Sequence, residues 1–167
     1  MNITACTALK LIPDPLKSHP VFLCIDDTMV SKFGKKFENV SKLFDHAAHN
    51  GSNYLNGHCF VSIMLCVPVL DHDKISYLSV PLGYGYRMWQ KKESKLELAA
   101  SMIRQVMPEF LSKEHVIILC DSWYTKKNLV AKDLCENPAD TCIIITDLFL
   151  GKSKICFRRS EGLLYGI

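Results

Sequence analysis

The 167-residue chain has room for one ordinary domain with a sizeable core and does not need two. With 49% hydrophobic and 22% charged residues it has the make-up of a globular protein, which excludes a disordered chain. A net charge of only +3 gives little bulk attraction to a polyanion, so any nucleic-acid contact has to come from local lysine clusters, at 32–42, 91–95 and 126–132.

Residues 1–20, punctuated by Pro13, Pro15 and Pro20, read as a connector, as though the chain began inside a larger protein. A short strand is predicted over 21–26, then a loop rich in Lys, Asn and Gly over 31–57. A long strand follows over 58–68, then the turn 71-DHDK-74 and a strand over 75–82. Between Glu93 and Phe110 the residues Leu96, Ala99, Ala100, Ile103, Val106 and Met107 recur at three and four, which predicts an amphipathic helix whose end Pro108 disturbs. A buried strand over 115–120, a second helix over 124–136 punctuated by Asn137 and Pro138, and a buried strand over 141–147 complete the pattern. The last twenty residues, 148–167, have no helical period and read as a divergent tail. Three strands, helix, strand, helix, strand predicts an α/β domain: a three-stranded antiparallel meander, then parallel strands reached by crossover helices on the faces of a mixed sheet.

Of the eight cysteines, Cys24, Cys66, Cys120 and Cys142 lie inside apolar strand-like runs, where a free thiol behaves as a small hydrophobe; this points to a reduced, cytoplasmic protein. The closest pairs, Cys59 with Cys66 and Cys135 with Cys142, are each seven apart, too widely spaced for a zinc cluster. The longest apolar segment, 60-FVSIMLCVPVL-70, falls short of the roughly 20 residues a membrane helix needs, so no membrane partner is expected.

Two stretches carry the chemistry. In 21-VFLCIDDTMVSKFGKK-36 and 116-VIILCDSWYTKKNL-129 an apolar run meets aspartate and then lysines. A carboxylate at the end of a buried strand costs several kcal/mol unless its charge finds a partner. If the strands leading to Asp26 and Asp121 lie side by side, the two acids converge at one end of the sheet. A hard cation such as Mg²⁺ or Mn²⁺ suits a few carboxylate oxygens plus water, and such a site serves phosphoryl transfer. The plainer alternatives are that Asp121 caps the following helix and that Asp26 and Asp27 form a solvated turn paired with Lys32 or Lys35.

The segments 25-IDDTMVSKFGKKFE-38, 53-NYLNGHCFVSIML-65 and 118-ILCDSWYTKKNL-129, in this order, resemble the transposase domain of insertion sequences that use a DDE triad. The resemblance spans about residues 20–147. It implies an RNase H-like fold in which the first strand lies beside the strand after the first helix. It also implies catalytic and metal-binding roles for Asp26 and Asp121, with Asp27 as second choice for the first acid. DNA is the implied partner, both transposon ends and target, with a homo-oligomer or a full-length transposase as further partners. Lys32, Lys35, Lys36, Lys126 and Lys127 are candidates for phosphate contacts, against the alternative of a solvated charged face.

The pattern breaks at the third acid. The family carries a glutamate in a Tyr-x₂-Arg-x₃-Glu pattern after the second aspartate, whereas here Tyr84 and Arg87 precede Asp121 and Lys91 stands at the glutamate position. Glu136 and Glu161 are the remaining candidates, in a chain expected to be cut short at its C-terminus and impaired in strand transfer. A standalone nuclease of the same fold and a noncatalytic DNA-binding or transposase-inhibiting fragment are the competing functions. Trp123 and Tyr124 read as packing under a helix in preference to stacking on a base. The histidines of 45-DHAAH-49 and 71-DHD-73 and the glycines of 82-LGYGYR-87 carry no recognisable site.

Overall fold

The computed structural model describes residues 1–34, 36–44, 53–86, 94–107, 116–120, 124, 141–147 and 152–157, the last two segments by their backbone. Helix α1 spans Asn2–Lys10 and a 3-10 turn spans Asp14–Leu16. Strands β1 (Val21–Ser31), β2 (Ser41–Phe44), β3 (Tyr54–Asp71) and β4 (Lys74–Tyr86) follow. Helix α2 covers Lys95–Val106, and strands β5 (Val116–Cys120), β6 (Thr141–Asp147) and β7 (Lys152–Phe157) complete the described elements.

The seven described strands belong to one mixed sheet in the order β2-β3-β1-β5-β6-β7, with β4 also paired to β3. β3 is long enough to serve three partners: β2 along residues 54–57, β1 along 57–66 and β4 along 60–71, all antiparallel. β5 joins β1 in parallel and β6 joins β5 in parallel, so the meander and the crossover strands of the expected α/β sheet are both present. β7 adds an antiparallel strand inside the segment expected to be a tail.

Period-two burial explains which face is covered. Val21, Leu23 and Ile25 of β1, Val61, Ile63 and Leu65 of β3, and Val116 and Ile118 of β5 form one buried face. Both described helices pack on that face. α2 starts from a capping box in which the Ser94 hydroxyl accepts the Glu97 amide and the Glu97 carboxylate accepts the Ser94 amide; it buries Ala99, Ala100, Met102, Ile103 and Val106. Its last turn ends just before Pro108, as expected from that residue. Gly85 of β4 gives α2 room, since a Cβ there would come within 2.8 Å of Leu98 Cδ1. His72 and Asp73, at φ 45° and 61°, make the two-residue left-handed turn that matches strand twist in the β3–β4 hairpin.

Three expectations need correction. Residues 1–20 are not a bare connector: Ala5, Ala8, Ile12 and Leu16 recur at three and four and are buried in the main core. The region 31–57 is not all loop, because β2 forms within it and β3 begins at Tyr54. β1 does not stop at Asp26 but runs on to Ser31, held by β3 as far as the Ser31–Gly57 pair. The burial of β1 ends at Ile25 while its pairing continues, so the two acids lie inside a strand and point to opposite faces of the sheet.

Candidate functional site

β1 and β5 are hydrogen-bonded neighbours running in the same direction, and their last paired residues are Ile25 and Cys120. These immediately precede Asp26 and Asp121 in the chain. Asp121 itself lies outside the described residues, as do Lys35, Lys126, Lys127, Trp123, Glu136 and Glu161.

Asp26 is exposed, on the face that bears Phe22 and Cys24, and its Oδ1 accepts the amide N–H of Asp27 at 2.8 Å. Asp27 faces the helices and is a different kind of carboxylate. Lys95, the first residue of α2, places its Nζ 2.8 Å from Oδ2, and the hydroxyl of Tyr124 donates to Oδ1 at 3.0 Å. The Cys59 thiol also points at Oδ2, at 3.8 Å. Only 12% of the Asp27 side chain and 22% of the Lys95 side chain reach solvent, and Tyr124 is fully buried. Burial, and then the negative charge of Asp27, push the Tyr124 phenol well above its usual range, so it stays protonated and donates.

The solvated turn expected at this position is therefore not formed by Asp27, which lies within β1 and pairs with Lys95, 68 residues away. Sequence reading passed over Lys95, since nothing local ties it to Asp27. Tyr124 packs inward, as expected, and adds a second link: with Cys120 opposite Ile25 and Tyr124 bonded to Asp27, the described residues on both sides of Asp121 contact the described residues on both sides of Asp26.

Among the described residues, no three His, Cys, Asp or Glu side chains gather to hold a metal ion. Glu97, two residues after Lys95 in the chain, is exposed and committed to the capping box, where the Ser94 amide and then its hydroxyl hold the Glu97 carboxyl below its usual range. Asp27 nonetheless already bonds a cation, the Lys95 ammonium, through an oxygen of the hard type that Mg²⁺ and Mn²⁺ accept.

The described part of the first lysine cluster lies where β1, β2 and β3 meet. The Lys32 ammonium sits over the Phe37 ring at 5.3 Å and Lys42 over the Tyr54 ring at 4.7 Å. Lys36 is exposed, as are Phe33, Phe37, Phe44 and Tyr54. Tyr84 and the two glycines of 82-LGYGYR-87 belong to β4, so residues 82–86 are strand and not a phosphate-binding loop. Among the described residues no helix is long and apolar enough to cross a membrane.

No family model, no curated protein and no solved structure matches this chain. Any function rests on the residues themselves.

Proposed function

We propose that the chain carries a DDE-type transposase catalytic core that acts on DNA by divalent-metal phosphoryl transfer. The observation that carries this reading is the parallel pairing of β1 with β5 up to Ile25 and Cys120. Ile25 and Cys120, which immediately precede Asp26 and Asp121 in the chain, are partners across strands about 4.8 Å apart, and this pairing supports carboxylates from the two strands sharing an ion. The strand sequence β4-β3-β1-β5-β6 within the sheet supports an RNase H-like arrangement.

In this reading the Asp26–Asp27 pair and Asp121 supply the carboxylates. A bound Mg²⁺ or Mn²⁺ would activate a water and stabilise the leaving oxygen of a phosphodiester. Lys32 and Lys36, with Lys35, Lys126 and Lys127, would neutralise phosphates, and the exposed aromatic rings among them could stack on unpaired bases.

Nicking of supercoiled DNA in Mg²⁺ or Mn²⁺ tests the proposal. It should be detectable in the parent and absent in Asp121→Ala. Equal nicking by the variant, or none by either protein in either metal, counts against it. The capture of Asp27 by Lys95 favours a second reading, a noncatalytic DNA-binding fragment, for which salt-sensitive duplex binding without cleavage is the signature.

A further inference from the structure

The sheet has a second face, away from α1 and α2. In β3 Val61, Ile63 and Leu65 are buried under the helices, so alternation turns Tyr54, Phe60 and Ser62 to the other side. Residues directly opposite one another share a face, which adds Phe44 across from Tyr54, and both Asp26 and Tyr84 across from Ser62. Two side chains fasten the segment between β1 and β2 beside this face. The His58 ring N–H donates to the Glu38 carbonyl at 2.9 Å, and the Tyr86 hydroxyl donates to the Asn39 carbonyl at 3.0 Å. That segment carries Lys32, Phe33, Lys36 and Phe37, and residues 32–44 hold four lysines against one acid, Glu38.

A solvated charged face accounts for the lysines but not for the rings among them. Phe33 is 86% and Tyr84 74% exposed, and Phe37, Phe44 and Tyr54 are also exposed. Cross-strand pairing explains Phe44 with Tyr54 and Phe60 with Tyr84, at 5.2 and 5.9 Å between centroids, yet it leaves much of Phe44, Tyr54 and Tyr84 in water. The Lys42 ammonium lies 4.7 Å from the Tyr54 centroid, so one ring and one charge are close enough to serve a single nucleotide. Single-stranded DNA fits this combination: each unpaired base offers a π face to a ring, a duplex hides its base faces in its own stack, and phosphates meet the lysines. A second copy of the chain would instead bring its own lysines to the patch, and like charges brought together repel.

We propose that this open face is a stacking platform for single-stranded DNA, entered at the lysine border and leading past Tyr84 toward Asp26. The inference rests on the reading of the chain as one that acts on DNA, but not on metal at the acids. Tyr84 and Asp26 flank Ser62, two strand spacings or about 10 Å apart, so an unpaired strand seated on the rings passes beside Asp26. Duplex DNA meets the lysines alone.

Fluorescence anisotropy with a labelled oligo(dT) of about 16 nucleotides, against a duplex and an oligo(rU) of the same length, tests this on the full chain. The parent should bind oligo(dT) about tenfold or more tightly than the duplex and at least as tightly as oligo(rU), with affinity falling as salt rises. Phe33→Ala and Tyr84→Ala alter exposed rings, so both variants should melt as the parent does. Each should weaken oligo(dT) binding about fivefold or more and duplex binding by less than about twofold, whereas Phe33→Tyr and Tyr84→Phe, which keep a ring, should stay within about twofold of the parent. Parental oligo(dT) binding by either alanine variant, or a duplex bound as tightly as oligo(dT), overturns the platform. Oligo(rU) held more tightly than oligo(dT) overturns DNA as its occupant, and a dimer in sedimentation that Tyr84→Ala dissolves gives the face to a second copy. Failure of the DNA reading looks different: neither single strand nor duplex is bound even at low salt, which removes the DNA partner and the inference with it.

Discussion

Tyr124→Phe deletes one oxygen from a fully buried side chain and keeps the ring, so only a very small void accompanies the lost bond. What is lost is a 3.0 Å hydrogen bond to the Asp27 carboxylate, itself 12% exposed. Hydrogen bonds to charged partners contribute about 1.5–3 kcal/mol, which at roughly 2–4 °C per kcal/mol for a chain of this size is a fall of about 3–12 °C in Tm. The pH dependence gives a second, independent readout. The folded-state pKa of Tyr124 is raised above its unfolded value, so its contribution is complete below pH 10 and declines as pH rises through the unfolded pKa toward the folded one. Between pH 9 and pH 11 the parent should lose about 1.4 kcal/mol more stability than Tyr124→Phe, from the proton that only the unfolded tyrosine gives up. Tyr77 and Tyr86 are also shifted upward by burial, so the difference between the two proteins is the informative quantity. Urea titrations at the two pH values measure it. A Tm change below about 1 °C together with parallel pH profiles would refute a buried, charge-assisted bond at Asp27.

Gly57 sits between β1 and β2, and a Cβ there would collide with the Val30 carbonyl oxygen, a backbone atom that cannot swing aside. Gly57→Ala should therefore destabilise the chain by about 1–3 kcal/mol in urea titration, with the loss traced to strain and not to helix or strand propensity. Burial and the facing Cys66 thiol, 3.8 Å away, push Cys24 up to about 12; at pH 8 it should react with iodoacetamide far more slowly than a solvent-exposed thiol, as peptide mapping by mass spectrometry would show. The double variant Lys32→Ala, Lys36→Ala should bind duplex DNA more weakly and lower the slope of log affinity against log salt by about 2; an unchanged slope would remove these lysines from the DNA interface.

The strands over 58–68 and 115–120 were legible because their burial is written into local periodicity, and the strand over 141–147 because its apolar run is short and β-branched. So was α2, whose stripe and capping box are local signals. α1 was legible in principle, through Ala5, Ala8 and Ile12 at three and four, but small side chains give a weak apolar stripe and the prolines beyond it suggested a connector. The outer half of β1, 27–31, carries exposed and half-exposed residues and owes its extension to β3 on one side, a long-range cause that no window of sequence contains. The same holds at the site. The acids stood out because carboxylates beside apolar runs demand partners, but which partner Asp27 takes depends on where α2 docks. The pairing of Lys95 with Asp27 is set by tertiary packing across 68 positions. Cys24 and Cys66, expected in the core, are instead half-buried on the face away from the described helices, since alternation along β1 and β3 puts them opposite the core residues.

Crystals soaked in Mn²⁺ and measured for anomalous scattering would show directly whether acids from two strands meet on one ion. A single strong peak bonded both to a carboxylate of the Asp26–Asp27 pair and to Asp121 is the outcome expected from the β1–β5 pairing. A map with no peak at that rim, or with manganese held by only one of the two strands, would contradict a shared cation and with it the proposed chemistry.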